Sequence, residues 1–334
     1  MSYDELSEVL ASENGTRTIT AFPDGSVDVY YSAYDVHGDP IEDRAGFAER
    51  LLEDPPAFPV TRESTEPGGQ AVNTAIQADA LGDSVTLFGH LDHPAFEGLG
   101  FETRSMGEPS RVAVYPFDED VLFAERSPEL AAWTLGDLRT AAADFEGALE
   151  ADVVSCGNWV SVTGMTEVLR GLAVESIDGN AFLFDPGAIS IRSEGAIHEL
   201  FSALAGLEST YDVVLSVNGT ELAAGAAALG FSGGRRERLS ALRSETGISA
   251  AVLHAGSAAV AATPEGVVSV PTRPVEEPVR ETGAGDRFDA GLAYALARDW
   301  DWDLALALGN ACAAHYVATA RTADRETLRA RLRS

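Results

Sequence analysis

Short apolar runs alternate with segments of helical periodicity over most of this chain. The runs lack the alternation of apolar and polar positions that a half-exposed strand would show, so they are typical of strands buried on both faces. The segments between them have apolar residues three or four positions apart, which predicts helices. This order predicts an α/β fold with a doubly wound, mainly parallel sheet flanked by helices. The predicted strands are 18–22, 84–88, 152–156, 181–185, 212–216 and 250–254, and helices are predicted near 2–11, 70–81, 163–174, 193–207, 219–229, 287–298 and 304–320.

A smaller extended unit is predicted beside this sheet. Residues 27–31 form an extended run, and residues 111–115 and 121–124 form two more that an acidic turn joins, which predicts a hairpin. Residues 35–67 are rich in proline, glycine and charge and predict loop or lid structure. We therefore expect a small β lid, formed by residues 19–35 and 104–126.

The composition adds an unusual charge balance. The chain contains 53 acidic and 23 basic residues, a formal net charge of −30, and it has no lysine. Such self-repulsion weakens a compact state at low ionic strength and repels nucleic acid, whereas in molar salt the Debye length falls to about 3 Å. The acidic residues are spread along the whole chain, so an acidic interaction tail is not indicated. This composition is typical of a protein adapted to a salt-rich cytoplasm.

The rest of the composition indicates a folded intracellular protein. Hydrophobic residues make up 45% of the chain, and we expect a single domain over residues 1–334. Cys156 and Cys312 lack the spacing of a metal motif and are interpreted as buried apolar residues. The first residues lack a secretory apolar segment, and the longest apolar stretch, 250–262, is interrupted and too short to span a bilayer. We therefore expect a cytoplasmic protein with no membrane or nucleic-acid partner.

A glycine-rich turn at residues 281–288 carries the strongest chemical signal. Its sequence, Glu-Thr-Gly-Ala-Gly-Asp-Arg-Phe, leads into a predicted helix. Glycines at 283 and 285 let the backbone approach a ligand closely, and the free N–H groups of a first helical turn form an anion site. Asp286 in this turn would lie beside a bound phosphate, where it could accept a proton from a hydroxyl. A turn in which Asp286 only caps the helix remains an alternative, and both roles can coexist.

This turn resembles the second signature of the PfkB or ribokinase-like carbohydrate kinases, D-T-x-G-A-G-D followed by a small residue and Phe. The resemblance implies a ribokinase-like fold with Asp286 as the catalytic base. It also implies that the backbone of Gly283, Ala284 and Gly285 binds the transferring phosphoryl group.

Two arginines depart from this signature. Arg280 stands in place of its first Asp, which contributes to a monovalent-cation site in the family, so the resemblance does not imply that cation here. Arg287 replaces the small residue and is predicted to add positive charge near the nucleotide phosphates.

A second motif, Gly-Gly-Gln-Ala-Val-Asn at residues 68–73, opens the helix predicted near 70–81. A glycine pair before a helix is common in α/β proteins, but here it precedes the first motif in the order that the family shows. The resemblance implies that Gly68, Gly69 and Asn73 contact substrate hydroxyls. Asp28 follows the first predicted strand, where the family has an Asp that binds sugar hydroxyls.

A third motif, Ser-Val-Asn-Gly-Thr-Glu at residues 216–221, follows a predicted strand. The pattern N-x-x-E is also a capping box, and by itself it favours the cap. In the family this element organises Mg²⁺ and its waters, so the resemblance implies that Asn218 and Glu221 belong to a metal shell. Mg²⁺ prefers carboxylate and water ligands.

Weaker correspondences concern the nucleotide. Gly256 lies in His-Ala-Gly after a predicted strand, where the family has T-x-G beside the nucleotide, while His254 is interpreted as structural. Asn310 lies near the position of the adenine pocket, although a lone Asn there also suits polar packing. Asp185-Pro186 resembles a D-P-N step of the family.

These motifs together predict phosphorylation of a hydroxyl on a small sugar or sugar-like acceptor, with ATP as co-substrate and Mg²⁺ as cofactor. The absence of lysine excludes a P-loop or a protein-kinase site, and the early strand lacks the G-x-G-x-x-G of a Rossmann oxidoreductase. Three alternatives stay open: a nucleoside or sugar-phosphate kinase, ADP as the donor, and a non-catalytic sugar or nucleotide sensor. A sugar phosphate would need a basic cluster, for which Arg62, Arg104 and Arg111 are candidates. Lid pairing in the family makes a homodimer a candidate assembly.

Overall fold

Strands and helices alternate along most of the chain, as the apolar pattern predicts. The computed structural model describes residues 2–53 and 57–333. The strands are β1 Thr18–Phe22, β2 Ser26–Tyr34, β3 Pro40–Ile41, β4 Val60–Gly68, β5 Ser84–Gly89, β6 Glu102–Ser105, β7 Ser110–Tyr115, β8 Val121–Ala124, β9 Val153–Gly157, β10 Ala181–Asp185, β11 Asp212–Val217, β12 Ala250–Leu253, β13 Ala258–Thr263 and β14 Gly266–Pro271. The helices are α1 Ser2–Ser12, α2 Arg44–Leu52, α3 Gln70–Leu81, α4 Pro128–Ala132, α5 Leu135–Ala141, α6 Phe145–Leu149, α7 Met165–Leu172, α8 Glu194–Leu207, α9 Gly219–Ala228, α10 Arg235–Thr246, α11 Ala284–Leu296, α12 Trp302–Thr319 and α13 Arg325–Arg333.

A large sheet of nine strands forms the centre of the protein, in the order β14-β13-β12-β11-β10-β9-β1-β5-β6. From β12 to β6 all neighbouring strands run parallel, which confirms the predicted mainly parallel sheet. The last two strands, β13 and β14, form an antiparallel edge. Residues 250–262 form one interrupted apolar stretch in the sequence, which does not predict the break between β12 and β13.

Helices cover both faces of the large sheet, which explains why its strands are apolar on both sides. Val153 of β9 packs with α3, α11 and α12 on one face, whereas its neighbour Val154 packs with α7 and α8 on the other. Successive strand residues point to opposite faces, so both positions must be apolar. Cys156 and Cys312 are buried free thiols, which confirms their interpretation as small core residues.

A second, smaller sheet follows the order β3-β2-β7-β8, with β4 paired antiparallel to β2. The predicted hairpin of β7 and β8 is confirmed. The predicted lid segments, 19–35 and 104–126, both began too early, because 19–22 and 104–105 belong to β1 and β6 of the large sheet. β4 lies almost entirely within residues 35–67, for which the sequence predicts only loop or lid structure. Its sequence, Val-Thr-Arg-Glu-Ser-Thr-Glu-Pro-Gly, has little strand propensity, and it pairs because β2 offers a long partner.

No helix within residues 2–53 and 57–333 is sufficiently long and apolar to cross a lipid bilayer.

Candidate active site

The carboxyl ends of the parallel strands and the start of α11 meet in one region, where α/β sheets commonly bind ligands. β10 ends at Asp185, β11 is followed by Asn218, and β12 is followed by His254. Gly285 at the start of α11 lies against the His254 ring, because a Cβ at position 285 would stand 3.2 Å from its Cε1. The first motif therefore lies against the end of β12, and the third motif follows the neighbouring strand β11.

The turn that opens α11 presents backbone N–H groups that have no acceptor in the described part of the chain. Gly283 is the N-cap with φ 88°, a left-handed conformation that favours glycine. The Ala284 amide donates to the Glu281 carbonyl at 3.0 Å, so it is not available to a ligand as the sequence predicted. The amides of Gly285 and Asp286 have no acceptor among the described residues. Free amides at a helix start suit an anion, so Gly285 and Asp286, rather than Ala284, are the candidates in this helical turn.

The Asp286 side chain lies beside these amides and is buried. Asn73 Nδ2 donates a hydrogen bond to its Oδ2 at 2.7 Å, which joins the first and second motifs. Burial and the nearby Asp185 carboxylate raise the pKa of Asp286 to about 7, although the Asn73 hydrogen bond and the Arg287 charge lower it. A carboxyl group with a pKa near neutrality is suited to accept a proton from a hydroxyl.

Asn218 and Glu221 form the capping box that the sequence pattern allowed. Asn218 Oδ1 accepts from the Glu221 amide at 3.0 Å, and Glu221 Oε2 accepts from the Asn218 amide at 2.8 Å. Glu221 is nevertheless buried beside Asp185, and burial together with that carboxylate raises the pKa of Glu221 to about 8. The cap thus holds a carboxylate in place within a group of like charges.

The neighbouring carboxyl groups of Asp185, Glu221 and Asp286 suit a hydrated cation, and Asp289 belongs to the same cluster. Ser216 Oγ donates to Asp289 Oδ1 at 2.5 Å, and burial raises the pKa of Asp289 well above its usual range. No three acidic, histidine or cysteine side chains among the described residues are arranged to ligate a metal directly. Carboxylates that repel one another at a distance fit a cation that keeps its waters, as Mg²⁺ commonly does.

The substrate-binding residues implied by the second motif lie where the small sheet meets α3. Ser26 Oγ donates to Asp28 Oδ1 at 2.6 Å on β2. Gly68 lies directly against this carboxylate, since a Cβ there would stand only 2.2 Å from Asp28 Oδ2. Gly69 adopts φ 105° at the start of α3. Asn73, one helical turn later, then points to Asp286.

Asp24 is a buried residue of this region that lies outside the three sequence motifs. Its carboxylate accepts hydrogen bonds from the amides of Gln70 at 3.0 Å and Ala71 at 2.8 Å, and from Asn158 Nδ2 at 2.8 Å. It therefore satisfies the first amides of α3 and ties β1 and β9 to the second motif. The available signal was an acidic residue in the turn between the first strand and Asp28.

Arg287 has a different place from the one predicted. Its side chain is buried, Nη1 donates to the Asn73 carbonyl at 2.6 Å, and its Cζ lies 4.8 Å from the centroid of the Tyr316 ring. The guanidinium therefore binds the backbone of Asn73 and packs against Tyr316, and it does not face the free amides. Arg280 also turns away from them, since its Nη1 donates to Glu66 Oε2 at 2.8 Å on β4.

The residues predicted to contact the nucleotide base differ in accessibility. Gly256 is exposed, with open space beside its Cα. Asn310 is buried on α12, where its Nδ2 donates to Tyr3 Oη and to the Val270 carbonyl, both at 3.3 Å. The side chain thus has the packing role that remained an alternative, although it also lines a cavity of about 480 Å³ with Tyr3 and Arg273.

Comparisons with known proteins give a consistent result. A family model described as prokaryotic ketohexokinase matches residues 37–334. A ketohexokinase of Haloferax volcanii is 27% identical over 303 residues, covering 78% of this chain and 80% of that protein.

Solved structures resemble the fold over almost the whole chain. A ribokinase from Thermotoga maritima has a TM-score of 0.68 at 17% identity and covers 96% of this chain and 99% of its own. A fructokinase from Xylella fastidiosa, solved with bound ATP, has a TM-score of 0.67 at 17% identity and covers 94% and 97%. These likenesses show a ribokinase-like fold.

Proposed function

Because this chain belongs to the prokaryotic ketohexokinase family of ribokinase-like carbohydrate kinases, we propose that it transfers the terminal phosphoryl group of ATP to a hydroxyl of a ketohexose such as fructose. Family membership makes it a sugar kinase, while the donor, the acceptor and the residue roles are proposed. One observation carries the proposal. A single helical turn holds two amides without acceptors and a buried carboxyl group, Asp286, whose pKa burial raises to about 7.

In the proposed reaction, Asp286 accepts the proton of the attacking sugar hydroxyl. The sugar oxygen forms a bond to the terminal phosphorus of ATP, and the bond from that phosphorus to the bridging oxygen of ADP breaks. The amides of Gly285 and Asp286 donate hydrogen bonds to the oxygens of the transferring group, where negative charge is concentrated. Asn73 keeps the Asp286 carboxyl in place through its 2.7 Å hydrogen bond.

The cluster of carboxyl side chains around Asp185 is proposed to bind hydrated Mg²⁺. Mg²⁺, when bound with ATP, neutralises phosphate charge. Asn218 and Glu221, together with Asp185, would hold its waters. Burial and the repulsion from Asp185 raise the pKa of Glu221 to about 8, which supports this role, because a cation nearby would relieve that repulsion.

A neutral sugar is favoured over a sugar phosphate as the acceptor. Arg62 and Arg111, which could have contacted an acceptor phosphate, are exposed on β4 and β7. Arg104 is also exposed and pairs with Glu102 at 2.6 Å. The second motif and β2 instead offer the Asp28 carboxylate, the backbone of Gly68 close to it and the side-chain amide of Asn73. These groups suit neutral hydroxyls.

The small sheet is proposed to act as a lid over the acceptor. Asp28 lies on β2 of this sheet, and the β7–β8 turn reaches the catalytic turn, where Thr282 Oγ1 donates to Asp120 Oδ2. A sheet that carries a substrate residue and contacts the catalytic turn can exclude water from the transferring phosphoryl group.

A coupled assay of ADP formation at high KCl tests the proposed function. We expect ADP release that depends on fructose and Mg²⁺, with lower rates for ribose and for nucleosides, and EDTA should abolish it. Replacing ATP with ADP, and measuring AMP, tests the alternative donor. Binding of sugar and nucleotide in calorimetry without any turnover would instead identify a sensor.

We also propose that the small sheet forms the contact of a homodimer. β8 is an edge strand that pairs only with β7 among the described residues, and its Leu122 and Phe123 are 46% and 55% exposed. An apolar edge strand is a ready partner for a second copy.

Sedimentation equilibrium at high KCl tests this assembly. The double variant Leu122→Ser and Phe123→Ser is expected to be monomeric at concentrations where the wild type is dimeric. The control is Val174→Ser, since Val174 is an exposed apolar residue outside the small sheet. A monomeric wild type, or a double variant that remains dimeric, would contradict the proposal.

A further inference from the structure

Arg280 connects the small sheet to the catalytic turn. Its Nη1 donates to Glu66 Oε2 on β4 at 2.8 Å, and its Cζ lies 4.1 Å from the centroid of the Tyr30 ring on β2. Glu66 lies directly opposite Asp28 in the β2–β4 pairing. Like charges in this arrangement repel each other, so the Arg280 charge compensates two carboxylates of the sugar-binding surface. Along the chain, Arg280 leads into the Gly283 turn.

Tyr316 of α12 lies behind the same turn. Its hydroxyl is 3.5 Å from the point where a Cβ on Gly283 would stand, so the side chain packs against the N-cap residue of α11. Burial alone would lower the pKa of Arg280, but the hydrogen bond with Glu66 and the nearby Tyr316 hydroxyl raise it. The backbone of Arg280 is held as well, because its amide donates to the Val317 carbonyl at 3.2 Å.

Arg287 continues this series of contacts to the catalytic base. Its guanidinium faces the Tyr316 ring, and its Nη1 donates to the Asn73 carbonyl at 2.6 Å. Asn73 in turn donates to Asp286 at 2.7 Å. A series of interactions therefore runs from Glu66 on the small sheet through Arg280 to Tyr316, which packs against the Gly283 turn, and from Tyr316 through Arg287 and Asn73 to Asp286.

The burial of Arg287 is costly in itself. The side chain is only 5% exposed, and its Nε has no hydrogen-bond partner in the described part of the chain. An isolated buried charge is strongly disfavoured, and an apolar side chain of similar size commonly fills such a space at a lower cost. Packing alone therefore does not account for an arginine at this position.

We propose that Arg280, Tyr316 and Arg287 are positioning residues, which hold Asp286 and the turn amides in register with the sugar-binding small sheet. This inference rests on the proposed function, since it assigns the residues that align its base with its acceptor. In-line phosphoryl transfer depends mainly on positioning, and a displacement of about 1 Å can cost about a hundredfold in rate. None of the three side chains needs to contact the substrate for this role.

The Arg280–Glu66 contact offers the clearest test, because both side chains are partly exposed and their loss should leave the core intact. We expect Arg280→Gln to lower kcat for fructose by about 10- to 100-fold. The ratio of ADP formed to sugar phosphate formed should rise above one, because a misaligned acceptor lets water compete. The Kd of MgADP should stay within about twofold of wild type, and Arg280→Lys should restore part of kcat.

A double-mutant cycle and a matched control complete the experiment. Glu66→Gln combined with Arg280→Gln should lower kcat no further than the more severe single variant, since both break the same link. Tyr316→Phe should change kcat and the product ratio in the same direction. The control is Arg139→Gln. Arg139 forms an exposed ion pair with Glu175, with 2.6 Å between the charged atoms, and neither residue belongs to the site.

Two results would overturn the inference. One is a kcat for Arg280→Gln within about twofold of wild type, and the other is a lower kcat that accompanies a lower melting temperature while the product ratio stays at one. The proposed function fails separately, if the wild type itself forms no ADP in response to any sugar; the positioning role then falls with it.

Discussion

Replacing Asp286 with asparagine is expected to lower kcat by about a thousandfold while leaving the Kd of MgADP near its wild-type value. A positioned general base contributes about 10²- to 10⁴-fold to a proton transfer. The amide oxygen of the introduced asparagine can still accept the hydrogen bond from Asn73, so the geometry of the turn should survive. Initial rates of ADP formation and calorimetric titration with MgADP measure the two effects.

The pH dependence of the wild type provides a second test of the same assignment. The base must be ionised to accept a proton, and burial together with the Asp185 carboxylate raises the pKa of Asp286 to about 7. The value of kcat/KM should therefore fall about tenfold per pH unit on the acid side of neutrality. A profile that stays flat down to about pH 5 would contradict the assignment.

The same substitution should stabilise the folded protein at alkaline pH. Burial raises the pKa of Asp286 from its usual 3.8 to about 7, so the folded state binds a proton more tightly than the unfolded state. The contribution of Asp286 to the free energy of unfolding is therefore lost as the pH rises from about 4 to about 7. The neutral amide of the variant leaves no charge to bury, and its melting temperature at about pH 8 should exceed that of the wild type.

A matched carboxylate provides the control for these measurements. Asp303 is exposed in the first turn of α12, and Asp303→Asn should change neither kcat nor the melting temperature appreciably. If Asp286→Asn retains the wild-type rate, Asp286 is not the base. If the variant is inactive and less stable at about pH 8, loss of folding explains the inactivity instead.

The sequence predicts the large sheet well because its strands have an unambiguous pattern. A parallel strand buried on both faces must be continuously apolar, as Val153 and Val154 show by packing against opposite helical layers. β4 has no such pattern. It is polar and contains Pro67, and it becomes a strand because it pairs antiparallel with β2 of the small sheet. Pairing of this kind depends on tertiary structure.

The candidate site also has features that the sequence predicts and features that depend on tertiary structure. The position of Asp286 in a glycine turn is readable from the sequence, but its pKa depends on burial and on Asp185, which lies in a distant part of the chain. Arg287 looked like a phosphate ligand because it follows Asp286. Successive residues of an α-helix point about 100° apart, however, so Arg287 points to Tyr316 when Asp286 points to the site. The surrounding helices, rather than the local motif, decide which side is buried.

The melting temperature of this protein is expected to rise by at least about 10 °C between about 0.1 M and about 2 M KCl. A net charge of −30 repels itself over the Debye length, which is about 10 Å at 0.1 M salt and about 3 Å at 1 M. Each kcal/mol shifts the melting temperature of a chain of this size by about 2–4 °C. Buried ion pairs such as Arg298–Asp83, at 2.6 Å, are screened much less, so the effect should come from the surface.

A charge-reduced variant separates screening from other effects of salt. Glu97 in a turn, Glu199 on α8 and Glu245 on α10 are exposed, and changing all three to arginine reduces the net negative charge without touching the core. This variant should melt above the wild type in about 0.1 M KCl, and the difference should nearly vanish in about 2 M KCl. Far-ultraviolet circular dichroism follows both transitions.

Sucrose provides the non-ionic control, since it stabilises folded proteins by exclusion from their surface and does not screen charge. It should raise the melting temperatures of the wild type and the charge-reduced variant by similar amounts, because their folded states bury the same surface. Two results would show that repulsion among surface carboxylates does not limit stability at low salt. One is that KCl raises the melting temperatures of the wild type and the variant equally, as sucrose should, and the other is that the melting temperature of the wild type does not change across the KCl range.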